Sequence, residues 1–270
     1  MTSGSSGAGC CYCAKHCCTS WFLVEERRKN QRLIAPTLQD FMKQDHTSPY
    51  ANAGMIASYT DDAPRKVPGL ADLHRMMMLL LAEQAPSGAH ILVLGAGGGL
   101  ETKALAEAQP SWQLTGVDPS PAMLDLARRT IVPFSDRISL VEGTVDQAPA
   151  GPFDGATCLL TLHHIERSER LRTLKEIHRR LKPGVNIVIA GHSAPEPDPI
   201  HWITRSVAFG DRRGLDPATA ANTGKLMAER LHLLTPAEEK EMLQEAGFLN
   251  VAMFYAAFSF RGWVGTARSR

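Results

Sequence analysis

The stretch HILVLGAGGGLETKALAEA, His90 to Ala108, decides the fold. Its first five residues read as a short apolar strand. Four glycines fall in the next five positions, Gly95 to Gly99, and a helical pattern begins at Leu100. A strand that enters a glycine loop and leaves as a helix is the opening unit of a βαβ layer. The same alternation continues downstream. WQLTGVD (112–118) reads as a second strand, and SPAMLDLARRTI (120–131) as a helix capped by Ser120. ISLVEG (138–143) and FDGATCLL (153–160) are the third and fourth strands. SERLRTLKEIHRRLKPG (168–184) is an amphipathic helix stopped by Pro183 and Gly184, and VNIVIAG (185–191) is a fifth strand. This order predicts a parallel sheet covered on both faces.

The pattern breaks after the fifth strand. Residues 193–232 carry helical portions and no strand, so they form an insertion on the carboxyl-end side of the sheet, where ligands bind in open α/β folds. TPAEEKEMLQEAG (235–247) is then a capped helix, and FLNVAMFYAAFSFRGWVGTA (248–267) supplies two closing strands. Upstream, RKVPGLADLHRMMMLLLAEQAPSG (65–88) places Leu70, Leu73, Met77, Leu80 and Leu81 on one helical face behind Pro68. The chain divides into a cysteine-rich tail or extension at 1–36, expected to be disordered, and an amino-terminal helical segment at 37–88. A binding core at 89–192, a helical cap at 193–232 and the closing helix and strands at 233–270 follow.

A chain of 270 residues with 44% hydrophobic and 21% charged residues can bury a sizeable core. Its net charge of +1 provides no basic field for nucleic acid, so a nucleic-acid partner is disfavoured. No apolar run reaches the ~18 residues of a membrane span, and no membrane partner is expected. Five of the six cysteines crowd into CCYCAKHCC (10–18) with His16, without the paired CxxC spacing of a zinc finger. No metal site is expected. A cysteine-poor body suits a reducing cytoplasm.

Glycine loops of this kind serve either a dinucleotide pyrophosphate or the amino-acid end of S-adenosylmethionine. The dinucleotide fingerprint needs glycine or alanine at its sixth position; counted from Gly95, that position is Leu100. The spacing that fits is GxGxG, through Gly95, Gly97 and Gly99. Asp118 closes the second strand 23 positions after Gly95, which suits a carboxylate on ribose hydroxyls. The alternatives are a merely tight turn for the loop and a helix-capping role for Asp118.

Taken together, ILVLGAGGG, TGVDPSPAMLDLAR, VEGTVDQAP and FDGATCLLTLHHI followed by EIHRRLKPG resemble class I S-adenosylmethionine-dependent methyltransferases from about Val67 to Ala267. The resemblance implies a Rossmann-like, seven-stranded, mostly parallel sheet with helices on both faces, and S-adenosylmethionine as cofactor. It implies that Gly95, Ala96, Gly97 and Gly99 bound the methionine end and that Asp118 takes the ribose. Pro119 and Ser120 would lie beside the adenine, Gly143, Thr144 and Val145 would read its edge, and Leu160 and Thr161 would line the pocket near the sulfonium. Many members carry an acid where this chain has Val93; Glu101 is a candidate replacement. A narrower similarity, through RKVPGLADL and FSFRGWV, is to carboxy-S-adenosylmethionine synthases of wobble-uridine modification in tRNA. Those need a cation after the fifth strand, where Leu226 falls here beside Lys225.

The expected activity is methyl transfer to a small-molecule acceptor by in-line displacement. His192 after the fifth strand, His201 in the cap and His163 after the fourth are candidate acid–base groups, each with packing as the plainer reading. A carboxy-S-adenosylmethionine synthase and a non-catalytic S-adenosylmethionine-binding protein are the alternatives. A homodimer is compatible with the sequence.

Overall fold

The computed structural model describes residues 53–211 and 216–269. Two helices come first, α1 (Ala53–Lys66) and α2 (Leu70–Ala82). The expected apolar face of α2 is the buried one: Leu70, Leu73, Met77 and Leu81 are sealed, and Leu80 is half-buried. The helix starts two residues after Pro68, on a left-handed Gly69. The cysteine-rich 1–36 segment and most of the helical pieces before α1 lie outside the described residues.

Strands and helices then alternate: β1 (His90–Leu94), α3 (Leu100–Ala108), β2 (Gln113–Asp118), α4 (Pro121–Thr130), β3 (Ile138–Glu142), β4 (Gly155–Leu159), α5 (Arg167–Arg180) and β5 (Asn186–His192). Local chemistry sets several of these boundaries. Ser120 accepts the Met123 N–H and Pro121 occupies the first position of α4, where its missing donor costs nothing. The helix α5 ends at Arg180, slightly before the Pro183–Gly184 stop. Two cap helices follow, α6 (Pro199–Gly210) and α7 (Pro217–Arg230), each opened by an Asp-Pro pair whose aspartate caps the first turn. Then come α8 (Pro236–Glu245), closed at its start by a Thr235–Glu238 capping box, and the strands β6 (Phe248–Ala257) and β7 (Phe260–Ala267).

The seven strands order as β3-β2-β1-β4-β5-β7-β6. All neighbours are parallel except the two pairs made by β7. The sequence expectation of a mostly parallel, Rossmann-like sheet is therefore what the chain builds. The direction of winding reverses between β1 and β4, the switch point at which open α/β sheets leave a crevice beyond their carboxyl ends. Alternate side chains feed two apolar layers. Leu92, Leu94, Cys158, Ile187 and Ile189 face α5 and α8, while Ile91, Val93, Val188 and Ala190 face α2 and α3. No helix among the described residues is long and apolar enough to cross a membrane.

Met77 is completely buried in the second layer. Met77→Ala is expected to cost about 2–5 kcal/mol of stability, as a cavity in a close-packed core does, measured as a lowered urea midpoint with unchanged slope.

Candidate active site

The loop between β1 and α3 is held by three glycines in the left-handed region, Gly95 (φ 75°), Gly97 (φ 50°) and Gly99 (φ 82°). Side chains avoid that region, but here space matters as much. A Cβ on Gly95 would overlap the Thr161 side chain, and one on Gly99 would lie 3.0 Å from the Ala127 Cα in α4. Gly98 sits against the ring of Tyr59, which reaches over the loop from α1. The backbone thus passes close to β4's exit, to α4 and to α1 at once.

Asp118 ends β2 beside this loop and is 8% exposed. One carboxylate oxygen accepts the Gly97 N–H at 2.9 Å and the other accepts the Ser120 N–H at 2.9 Å. A carboxylate has about four acceptor sites, so each oxygen keeps capacity for a ligand hydroxyl. Burial pushes the Asp118 carboxyl up from its ordinary value, and the two backbone donors pull against that. Ser120, not Asp118, caps α4. The Gly143 N–H donates to the Asp118 carbonyl at 3.0 Å, which brings the turn after β3 to the same edge. There Thr144 closes a capping box with Gln147, Val145 is buried, and Asp146 is tied at the surface to Arg172 at 2.8 Å. Pro119 is exposed.

Leu160 leaves β4 with φ 56°. A left-handed leucine costs roughly 1–2 kcal/mol and is held only because the surroundings insist on it. Its N–H is bound to the Ala190 carbonyl, and the next residue, Thr161, hydrogen-bonds back to the Leu159 carbonyl at 2.9 Å. A small pocket opens here, between Gly95 and Ala96, Leu159 and Leu160, and Tyr59 and His74 from the first two helices. Glu101 also lines it. That side chain is 6% exposed, its Oε1 has no hydrogen-bond partner among the described residues, and burial pushes its carboxyl up to about 8. Val93, in β1, is 0% exposed within the apolar layer.

The three candidate histidines are in different settings. His163 is buried, and its Nδ1 accepts the His192 N–H at 3.1 Å. A Cβ on Gly191 would strike that ring, so glycine gives it room. Burial also holds the His163 ring well below its ordinary value. His192 stacks on Phe260 with centroids 4.0 Å apart, and its Nδ1 lies 2.8 Å from Ser259 Oγ, which in turn meets Ser206 of α6 at 2.7 Å. Its ring is pushed down to about 3 by burial. His201 is exposed on the first turn of α6. In the cap, Arg205 stacks over Trp202 at 4.3 Å. No metal-ligating cluster occurs among the described residues. Tyr59 and His74 were legible only in part: Tyr59 sits in a segment without clear periodicity, and His74 sits between apolar positions of a helix face.

Residues 91–184 match the family profile described as a methyltransferase domain. The carboxy-S-adenosyl-L-methionine synthase of Chromohalobacter salexigens is 28% identical over 216 residues, 78% of this chain and 80% of that protein. The demethylmenaquinone methyltransferase of Symbiobacterium thermophilum is 34% identical over 128 residues, 46% of this chain and 47% of its own length. Among solved structures, phosphoethanolamine N-methyltransferase 2 of Haemonchus contortus, in complex with S-adenosyl-L-methionine, superposes with a TM-score of 0.60 at 15% identity. That superposition covers 87% of this chain and 61% of the other, and it speaks to the fold alone.

The packing of Gly95 against Thr161 predicts that Gly95→Ala lowers the thermal midpoint. The loss should exceed the 1–2 kcal/mol of a left-handed residue alone, and Gly95→Ala combined with Thr161→Gly should recover part of it, measured by thermal unfolding.

Proposed function

We propose that this chain, which belongs to the class I S-adenosylmethionine-dependent methyltransferases, transfers the cofactor's methyl group to a small-molecule acceptor. The observation that carries the acceptor class is the cover that α1 gives the pocket at the switch point. Tyr59 lies over the glycine loop, α1 packs against both α4 and the cap helix α6, and the strained Leu160 lines the pocket. A space so covered favours a small acceptor over a polymer.

The chain's own donors and acceptors fit the cofactor. Asp118 has spare acceptor capacity for two vicinal hydroxyls, while the Gly95–Gly99 backbone, free of Cβ atoms, lets a ligand approach closely. The turn at Gly143, Thr144 and Val145 borders Asp118, with Pro119 and Ser120 on its other side, which suits the adenine. Leu160 and Thr161 border Gly95, which suits the sulfonium end.

Held by the Gly95–Gly99 loop, Asp118 and the Leu160–Thr161 turn, S-adenosylmethionine would supply a methyl carbon activated by its sulfonium, with sulfur as the leaving group that keeps the C–S electron pair. The chain's part is to align the acceptor and exclude water, because near-attack geometry supplies most of what such a displacement needs. His163 and His192 stay neutral at physiological pH and are weak bases there, since burial lowers both. They position the ends of β4 and β5. A proton lost by an oxygen or nitrogen acceptor goes to solvent.

A second reading, a carboxy-S-adenosylmethionine synthase, is favoured by the relatives of that name, which match most of the chain. The cation it calls for is harder to supply. Gly224 of α7 packs against Thr204, Leu226 is half-buried and Lys225 is exposed. Arg65 pairs with Asp62 and Arg205 stacks on Trp202. Among the described residues, no lysine or arginine lines the cavity beside Gly95.

The mass of the cofactor that co-purifies with the protein separates the two: unmodified S-adenosylmethionine or its demethylated product is expected, and a species heavier by one carboxyl group would establish the second reading. Asp118→Ala is expected to weaken S-adenosylmethionine binding by about 10- to 100-fold, the scale of charge-assisted hydrogen bonds. Calorimetry reads this directly, and unchanged affinity would remove Asp118 from the ribose.

A further inference from the structure

We propose that Glu101, on the first turn of α3, is the anion that receives the α-ammonium group of the cofactor's methionine moiety. This rests on the cofactor reading above. Three observations carry it. Glu101 is almost wholly buried and its Oε1 has no partner among the described residues. A buried carboxylate left that way is costly unless a ligand completes it. The same side chain lines the cavity bordered by Gly95, Ala96, Leu159 and Leu160, where the amino-acid end is placed. It is the one carboxylate among the described residues lining that cavity, and Val93, at the end of β1, contributes only a methyl surface to the apolar layer.

The titratable neighbours leave no competitor. His74 reaches the cavity from α2, and burial pushes its ring down to about 4, so it stays neutral. Tyr59 enters from α1. Cys158 of β4 is buried near Glu101 and held as a thiol, its ionisation pushed far up by burial and by Glu101 itself. Thr157 and the Leu159 main chain favour the charged form of Glu101 without outweighing its burial. The position at the start of α3 also favours an anion once one forms.

Occupation of the site therefore has a protonation consequence. With its value raised to about 8 by burial, Glu101 is protonated in the free protein at pH 6.5. An incoming ammonium selects the ionised form, so binding releases a proton, and affinity rises with pH until about 8. The raised value has the opposite effect on the free fold. The folded state holds a proton that the unfolded state sheds, so this contribution to stability falls as pH climbs from the ordinary glutamate range to about 8.

Calorimetry at pH 6.5, in two buffers of different ionisation enthalpy, tests this with wild-type protein, Glu101→Gln and Glu101→Asp. The ligands are S-adenosylmethionine and 5′-methylthioadenosine, which lacks the amino-acid end. Wild type should release close to one proton with S-adenosylmethionine and none with methylthioadenosine. Glu101→Gln should lose about 10- to 100-fold in affinity for S-adenosylmethionine only, with proton release abolished. Glu101→Asp should fall between. Equal effects of Glu101→Gln on both ligands, or no effect on either, would overturn the proposal while leaving the cofactor reading intact. Should Glu101→Gln not fold, Glu101→Asp is read in its place: an equal effect on both ligands, or none on either, overturns the proposal. Failure of wild type to bind either ligand would instead sink the cofactor reading.

Discussion

Everything at the carboxyl end of the sheet depends on how closely one loop can pass its neighbours. Between β1 and α3 the backbone runs against Thr161, Tyr59 and Ala127, and at Gly95 and Gly99 a side chain would both strain the chain and collide. That contact gathers four elements. β4's exit is pressed onto the loop, α4 lies along it, α1 covers it, and Asp118 ties its middle through the Gly97 N–H. The crevice follows from this passage, because backbone rather than side chain forms its wall, and the N–H groups of Gly95, Ala96, Gly97 and Gly99 are spent on holding the loop in place.

The second organising feature is burial of ionisable groups in a chain whose net charge is nearly zero. His163 and His192 are neutralised by their surroundings and serve the packing of the β4 and β5 ends. Glu101 is different, since its unpartnered oxygen borders a cavity rather than a hydrogen-bond network. An apolar residue at Val93 and a buried acid at Glu101 amount to a shift of charge from the strand to the helix start. The layer against α2 stays apolar at Val93, and the carboxylate sits in the first turn of α3, where the helix end supports an anion.

Much of this was legible in the chain itself. Short apolar runs and period-3.6 patterns separate the strands from the helices, and Asp-Pro and Thr-Pro pairs mark the starts of α6, α7 and α8. Leu100 excluded the dinucleotide loop, and the Asp118 spacing found a carboxylate that does lie beside the glycines. The rest depends on contacts distant in sequence. Nothing local says that Leu160 turns left-handed, or that His163 points into the space left by Gly191. Periodicity identifies a buried face but not which buried polar atom lacks a partner, so the sequence offers Glu101 only as a nearby acid that could replace the one missing at Val93. The cysteine cluster at 10–18 lies outside the described residues.

The most direct test of the account is a crystal structure of the protein with S-adenosylmethionine. The ribose hydroxyls should lie within hydrogen-bond distance of both Asp118 oxygens, with the methionine end between Gly95, Leu160 and Glu101. A cofactor whose ribose makes no contact with Asp118, or one bound outside the β1–β4 crevice, would contradict it.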